Sequence, residues 1–204
     1  MDTLSLEVAG GFRIVVPRDP TSLSTFVFLE QEDWFEDEAP FLRHAFAPGD
    51  RVLDVGANLG FYALTAARIG GEAGRVWAFE PTPEIAGLLR DSAALNGFAT
   101  LEVVEAALGR SPGTARLQRR GSAEGNRVAE GAAEGEAVAL ETLDGWWRGT
   151  PQARGIAFVK LDVEGHEEAV VAGGQAFFAS ESPLVMMEVS DDRDGAGAAI
   201  AALQ

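Results

Sequence analysis

The chain has 204 residues, 47% hydrophobic and 24% charged, a balance that excludes wholesale disorder and is long enough to bury a core without staples. It has no cysteine, which excludes a disulfide framework, a thiolate metal site and a cysteine nucleophile, and which fits a reducing compartment. Its 32 acids against 16 bases give a net charge of −16, which repels phosphate backbones and anionic bilayers, so neither nucleic acid nor membrane is an expected partner.

No segment reaches the roughly 20 apolar residues that span a bilayer. The N-terminal MDTLSLEVAGG lacks the basic-then-apolar layout of a signal peptide, so the expected location is the cytoplasm. Leu4, Leu6 and Val8, then Phe12, Ile14 and Val16, alternate with polar neighbours and predict two short strands around Gly10-Gly11. Residues 24–47 are helical in character, with Pro40 breaking or restarting the helix. Pro48-Gly49-Asp50 is a turn.

Strands and helices then alternate. Strands are predicted at 51–56, 75–80, 101–109, 156–165 and 183–190. Helices are predicted at 62–69, at 83–96 with Pro83 in the first turn and Gly97 behind it, and after 165 as far as Ala172. Such alternation predicts an α/β fold, a doubly wound, mostly parallel sheet covered on both faces. Residues 110–150 interrupt it. Ala115 and Leu117 mark a strand, 122–137 read as a small, acidic, glycine-rich mobile loop, and 137–147 as a strand running into a short helix. The expected organisation is residues 1–50 packing on a core of 51–204, with the insertion at about 110–150.

The strongest motif is Asp54-Val55-Gly56-Ala57-Asn58-Leu59-Gly60. A buried strand enters a turn where Gly56 and Gly60 admit close backbone approach, and a helix N-terminus follows. Glu80 stands 20 residues beyond Gly60 at the end of the next strand, where a carboxylate can accept from both ribose hydroxyls. A nicotinamide dinucleotide site wants a third glycine in register around its pyrophosphate, and this loop has none. Asp54 would also repel phosphates. S-adenosylmethionine has no phosphate and carries cationic groups, which an acidic pocket suits. The alternatives to a methyltransferase are a nicotinamide-dependent oxidoreductase, a non-catalytic nucleotide-binding module and a structural α/β partner.

The third motif is Lys160-Leu161-Asp162-Val163-Glu164-Gly165-His166-Glu167. On a strand, Lys160, Asp162 and Glu164 would share one face at the carboxyl end of the sheet, where such folds place their ligands. Asp162, Glu164 and His166 are all candidate bases. Two acids do not complete a divalent-metal site, and no metal is expected. His44 reads as structural.

These motifs resemble the FkbM family of S-adenosylmethionine-dependent methyltransferases. The matching pieces are VLDVGANLGFYAL (52–64), AFEPTPE (78–84), LETLDGWW (140–147), VKLDVEGHEEAVVAGG (159–174) and LVMMEV (184–189), preceded by FLEQEDWFEDEAPFLRHAFAPGD (28–50). The resemblance implies a Rossmann-like class I fold and S-adenosyl-L-methionine as cofactor. It implies that Asp54, Gly56, Asn58 and Gly60 hold the methionine end, Glu80 the ribose, and Glu105 and Ala106 with Ala107 the adenine border. It implies that Asp162 and Glu164 face the methyl group and a small-molecule hydroxyl acceptor, a sugar or natural product. The class usually adds a helix and a strand hairpin after the fifth core strand. Here only DDRDGAGAAIAALQ follows Ser190, so the expected sheet is truncated, and an exposed edge there would suit a homodimer.

Overall fold

The computed structural model describes residues 2–19, 21–120, 122–129 and 134–188, with 200, 201 and 203. Strands β1 (Thr3–Val8) and β2 (Phe12–Pro17) form an antiparallel hairpin. Helices α1 (Leu23–Gln31) and α2 (Glu38–Ala45) follow. The break between them falls at 32–37, where Glu32 ends α1 in a left-handed conformation, and Pro40 sits in the first turn of α2 where its missing N–H costs nothing.

The core alternates as expected through β3 (Arg51–Val55), α3 (Phe61–Gly70), β4 (Arg75–Phe79), α4 (Pro83–Leu95) and β5 (Leu101–Val104). Strand β6 (Ala107–Leu108) leaves the core sheet, so the expected single strand over 101–109 is split at Glu105-Ala106. After the insertion come β10 (Phe158–Leu161), α6 (Glu167–Ala172), α7 (Gln175–Glu181) and β11 (Leu184–Met187). The five core strands are all parallel, in the order β11-β10-β3-β4-β5. Gly173-Gly174 ends α6 but α7 begins at once, a helix the sequence reading did not anticipate.

The insertion contains β7 (Gly113–Arg120), β8 (Ser122–Ala129), β9 (Glu136–Glu141) and α5 (Leu143–Gly149). Order β6-β9-β7-β8 makes a second, mixed sheet. This corrects the expected loop over 122–137. Small polar residues there form a strand because β7 supplies its backbone partners, a tertiary cause that local composition does not register. Residues 130–133 lie outside the described residues, as do 189–199, where the expected truncation and the residues beyond the fifth strand fall. Among the described residues β11 is outermost in the core sheet.

Side-chain alternation on the inner strands divides the core into two layers. Val52, Val76, Ala78 and Phe158 face a cluster with α3, α4 and the N-terminal hairpin. Leu53, Val55, Trp77, Phe79, Val159 and Leu161 face a cluster with Leu143, Trp146, Val170 and Phe177 of the opposite helices. Asp54 and Lys160 fall on the α3 side of that alternation, and they are direct neighbours in the β3–β10 register. No helix among the described residues is long and apolar enough to cross a membrane.

Candidate functional site

The loops at the carboxyl ends of β3, β4, β10 and β11 open on one cavity of about 280 Å³. The loop after β3 is held by its own backbone: the N–H groups of Gly56 and Ala57 both donate to the Phe79 carbonyl, at 3.0 and 2.9 Å. Gly56 has φ +82°, and a Cβ there would lie 1.8 Å from the Asp162 carbonyl oxygen. Gly56 therefore lets two loops of the protein touch. Gly60, at φ +88°, approaches the Leu89 side chain and opens α3. Both glycines also line the cavity.

Asn58 is left-handed, at φ 51°, and its N–H donates to Glu80 Oε2 at 3.0 Å. The N–H of Thr82 donates to the other oxygen, Oε1, at 2.7 Å. The Glu80 carboxylate is thus fixed in the cavity wall by two backbone donors, with lone pairs to spare. Burial raises its pKa, against the bonds from Thr82 and Asn58 that lower it.

Asp54 is buried and does not line the cavity. It lies beneath the glycine loop, where neither oxygen meets a hydrogen-bond partner at ordinary geometry. Burial pushes its pKa up to about 6, opposed by the charge of Lys160. Glu105 also lies apart: its carboxylate pairs with Arg90 at 2.8 Å, while Ala106, Ala107 and Leu108 line the cavity.

Strand β10 ends at Leu161, so Asp162 and Glu164 are loop residues, which corrects the expectation that they share a strand face with Lys160. Glu167 shapes the loop, accepting from the N–H groups of Val163 and Gly165 at 3.2 and 3.1 Å. Asp162, Glu164 and His166 all line the cavity, and His166 stands at the N-terminal boundary of α6. Lys160 Nζ lies 2.7 Å from Asp162 Oδ2 and 4.5 Å from the centre of the Tyr62 ring. The Tyr62 hydroxyl donates to Glu36 Oε2 at 2.5 Å, which joins the N-terminal segment to the site. Burial, then the Glu36 bond, raise the Tyr62 pKa.

Four contributors escaped the sequence reading. Glu36, Tyr62 and Glu188 line the cavity, and so does the insertion through Leu117, Asn126 and Val128. The strand over 122–129, expected to be part of a mobile loop, meets α1 above the site. A signal for Glu188 was present in LVMMEV, an acid ending an apolar strand at the edge where such sheets bind ligands.

The cavity's donor set suits a cationic, phosphate-free ligand. Its acids are Glu36, Glu80, Asp162, Glu164 and Glu188, and the lysine among its bases is already paired.

The family described as the methyltransferase FkbM domain matches residues 54–203. A protein-L-isoaspartate O-methyltransferase of Aeropyrum pernix is 40% identical over 58 residues, 28% of this chain and 22% of that protein. A second, from Archaeoglobus fulgidus, is 38% identical over 56 residues, 28% of this chain and 26% of that protein. These matches span about a quarter of the curated relatives. A solved S-adenosylmethionine-dependent O-methyltransferase from Thermotoga maritima superposes with a TM-score of 0.50 at 14% identity, over 98% of this chain and 60% of that one. That likeness shows the class I methyltransferase fold.

Proposed function

The chain belongs to the methyltransferase FkbM domain family, and from that premise we propose that it transfers a methyl group from S-adenosylmethionine to a hydroxyl of a small molecule, a sugar or natural product. The observation that carries this reading is Glu80, a buried carboxylate tied by Asn58 and Thr82 so that it faces the cavity in one orientation. Ribose hydroxyls are donors at fixed spacing, and a pre-set carboxylate meets them without ordering cost. Gly56 and Asn58 set the loop that holds Glu80, and Ala106 and Ala107 offer an apolar border to adenine. Asp54 acts from beneath, through its charge, while Gly60 opens the helix that carries Tyr62.

S-adenosylmethionine supplies an already activated methyl group. The chain's own residues align the acceptor, which can lower the barrier by roughly 7–11 kcal/mol. Asp162, Glu164 and His166 line the same cavity, facing the place where the acceptor would meet the methyl group. Residues 1–50 act with the core, since Trp34, Phe35 and Glu36 line the site. A cytoplasmic location and a homodimer through the β11 edge belong to the same reading.

The test is calorimetric titration with S-adenosylhomocysteine. Micromolar binding is expected, and Glu80→Ala should abolish it while the variant stays folded by circular dichroism. No binding by folded wild-type protein, or tighter binding of a nicotinamide dinucleotide, would sink the reading.

A further inference from the structure

Three carboxylates meet beyond the end of β10: Asp162, Glu164 and Glu188 each place an oxygen within 4.8 Å of the others. They are not equivalent. Asp162 is bound by Lys160 Nζ at 2.7 Å. Burial pushes its pKa up, but the Lys160 charge and the hydrogen bonds from Glu188 and Lys160 hold it below the usual carboxylate value. A carboxylate so held is a poor proton acceptor. Glu188 is on the other side of Asp162, on the first residue past β11, with its N–H fixed to the Leu161 carbonyl at 3.1 Å. It is exposed, lines the cavity and shares a hydrogen bond with Asp162.

We propose that Glu188 is the catalytic base, taking the acceptor's hydroxyl proton, while Lys160-bound Asp162 positions it. This rests on the methyltransferase reading. In the step, the acceptor oxygen forms a bond to the methyl carbon as the carbon–sulfur bond breaks. That electron pair stays on sulfur, giving S-adenosylhomocysteine, and the hydroxyl proton passes to the Glu188 carboxylate and then to water.

The charges facing Glu188 are consistent with this role. The hydrogen bond and charge of Asp162, then burial and the charge of Glu164, raise its pKa to about 7, with Lys160 opposing. A base is most effective when its pKa lies near the working pH. Lys160 also argues against the cluster as a divalent-cation site, because its ammonium already occupies Asp162.

The test has three arms on the full chain. S-adenosylhomocysteine affinity is measured first, and its absence in wild type refutes the methyltransferase reading rather than the base. Carbon-13 titration of the side-chain carboxyls in that complex should find Glu188 titrating near neutrality, and falling toward the ordinary range in Asp162→Asn. A midpoint in the ordinary range in wild type overturns the proposal. Release of S-adenosylhomocysteine is then followed with methyl glucoside and 4-methylumbelliferone as probe acceptors. Glu188→Gln should lower kcat roughly 100-fold or more and abolish the rise in rate through neutral pH, with cofactor affinity unchanged. Unchanged kcat, or activity lost to a chelator and restored by magnesium, would overturn it.

Discussion

Asp54 illustrates how burial changes the chemistry of a residue that reads as a ligand. Its position before a glycine turn suits a cofactor contact, and strand alternation sends it toward α3, in register with Lys160. There it is a buried carboxylate whose two oxygens lack ordinary hydrogen bonds and whose nearest compensation is the Lys160 charge. A folded pKa of about 6 lies above the ordinary value of 3.8, so the folded state binds the proton more tightly than the unfolded one. Stability from this group is fully present below the unfolded value and is lost as pH rises through the folded value. At neutral pH the ionised group then costs on the order of 3 kcal/mol, at ~1.36 kcal/mol per unit. Asp54→Asn keeps the shape and removes the titration. Urea unfolding should find it more stable than wild type by up to about that amount at pH 8, with the advantage gone by pH 4. Equal stability of the two proteins at pH 8 would show that Lys160 fully compensates the charge.

At the scale of elements, the N-terminal hairpin is attached by side chains standing in for a third strand. Ser92 Oγ on α4 accepts from the Val15 N–H at 2.8 Å and donates to the Leu88 carbonyl at 2.8 Å. Asn96 accepts from the Arg13 N–H at 2.8 Å and donates back to the Arg13 carbonyl at 2.6 Å. Ser92 is fully buried, so Ser92→Ala leaves the half-buried Val15 N–H without its partner, at a cost of about 1–3 kcal/mol. Asn96→Ala exposes the same kind of groups to solvent and should cost about 1 kcal/mol or less. Denaturant titrations of the two variants check the order, and a larger loss at Asn96 would contradict it. The core elements were legible because their signals are local. RVLDV and RVWAF are mostly apolar runs at helix-length spacing, and Pro83 marks the start of α4. Strand β8 and the early end of β10 were not, since β8 lacks apolar alternation and forms through its pairing with β7, and the residue type of Glu164 does not announce its left-handed backbone. The site shows the same division. Glu80 was found by its spacing from the glycines, whereas Glu36 reaches the cavity only because α1, α2 and α3 pack together.

For the molecule as a whole, one core joins the regions that the sequence separates. Val8, Phe12, Ile14, Val16, Phe28 and Leu42 pack in the same cluster as Val52, Leu64 and Val76, so residues 1–50 contribute directly to the sheet's α3-side layer. That shared core must hold together a chain of net charge −16. Exposed pairs such as Arg18–Asp2 and Arg110–Glu168 recover little, about 0–1 kcal/mol each. Acids outnumber bases two to one, so repulsion among the unpaired acids acts against the compact state. Salt screens both effects, shortening the Debye length from ~30 Å at about 0.01 M to ~3 Å at about 1 M. Repulsion extends over the whole surface and the pairs are few and weak, so screening should relieve more than it removes. Calorimetric melting at neutral pH is expected to give a Tm that climbs by several degrees from low to high sodium chloride, with most of the rise complete by about 0.15 M, where the Debye length is ~8 Å. A Tm that falls over the same range would mean that the exposed arginine pairs outweigh the excess of acids.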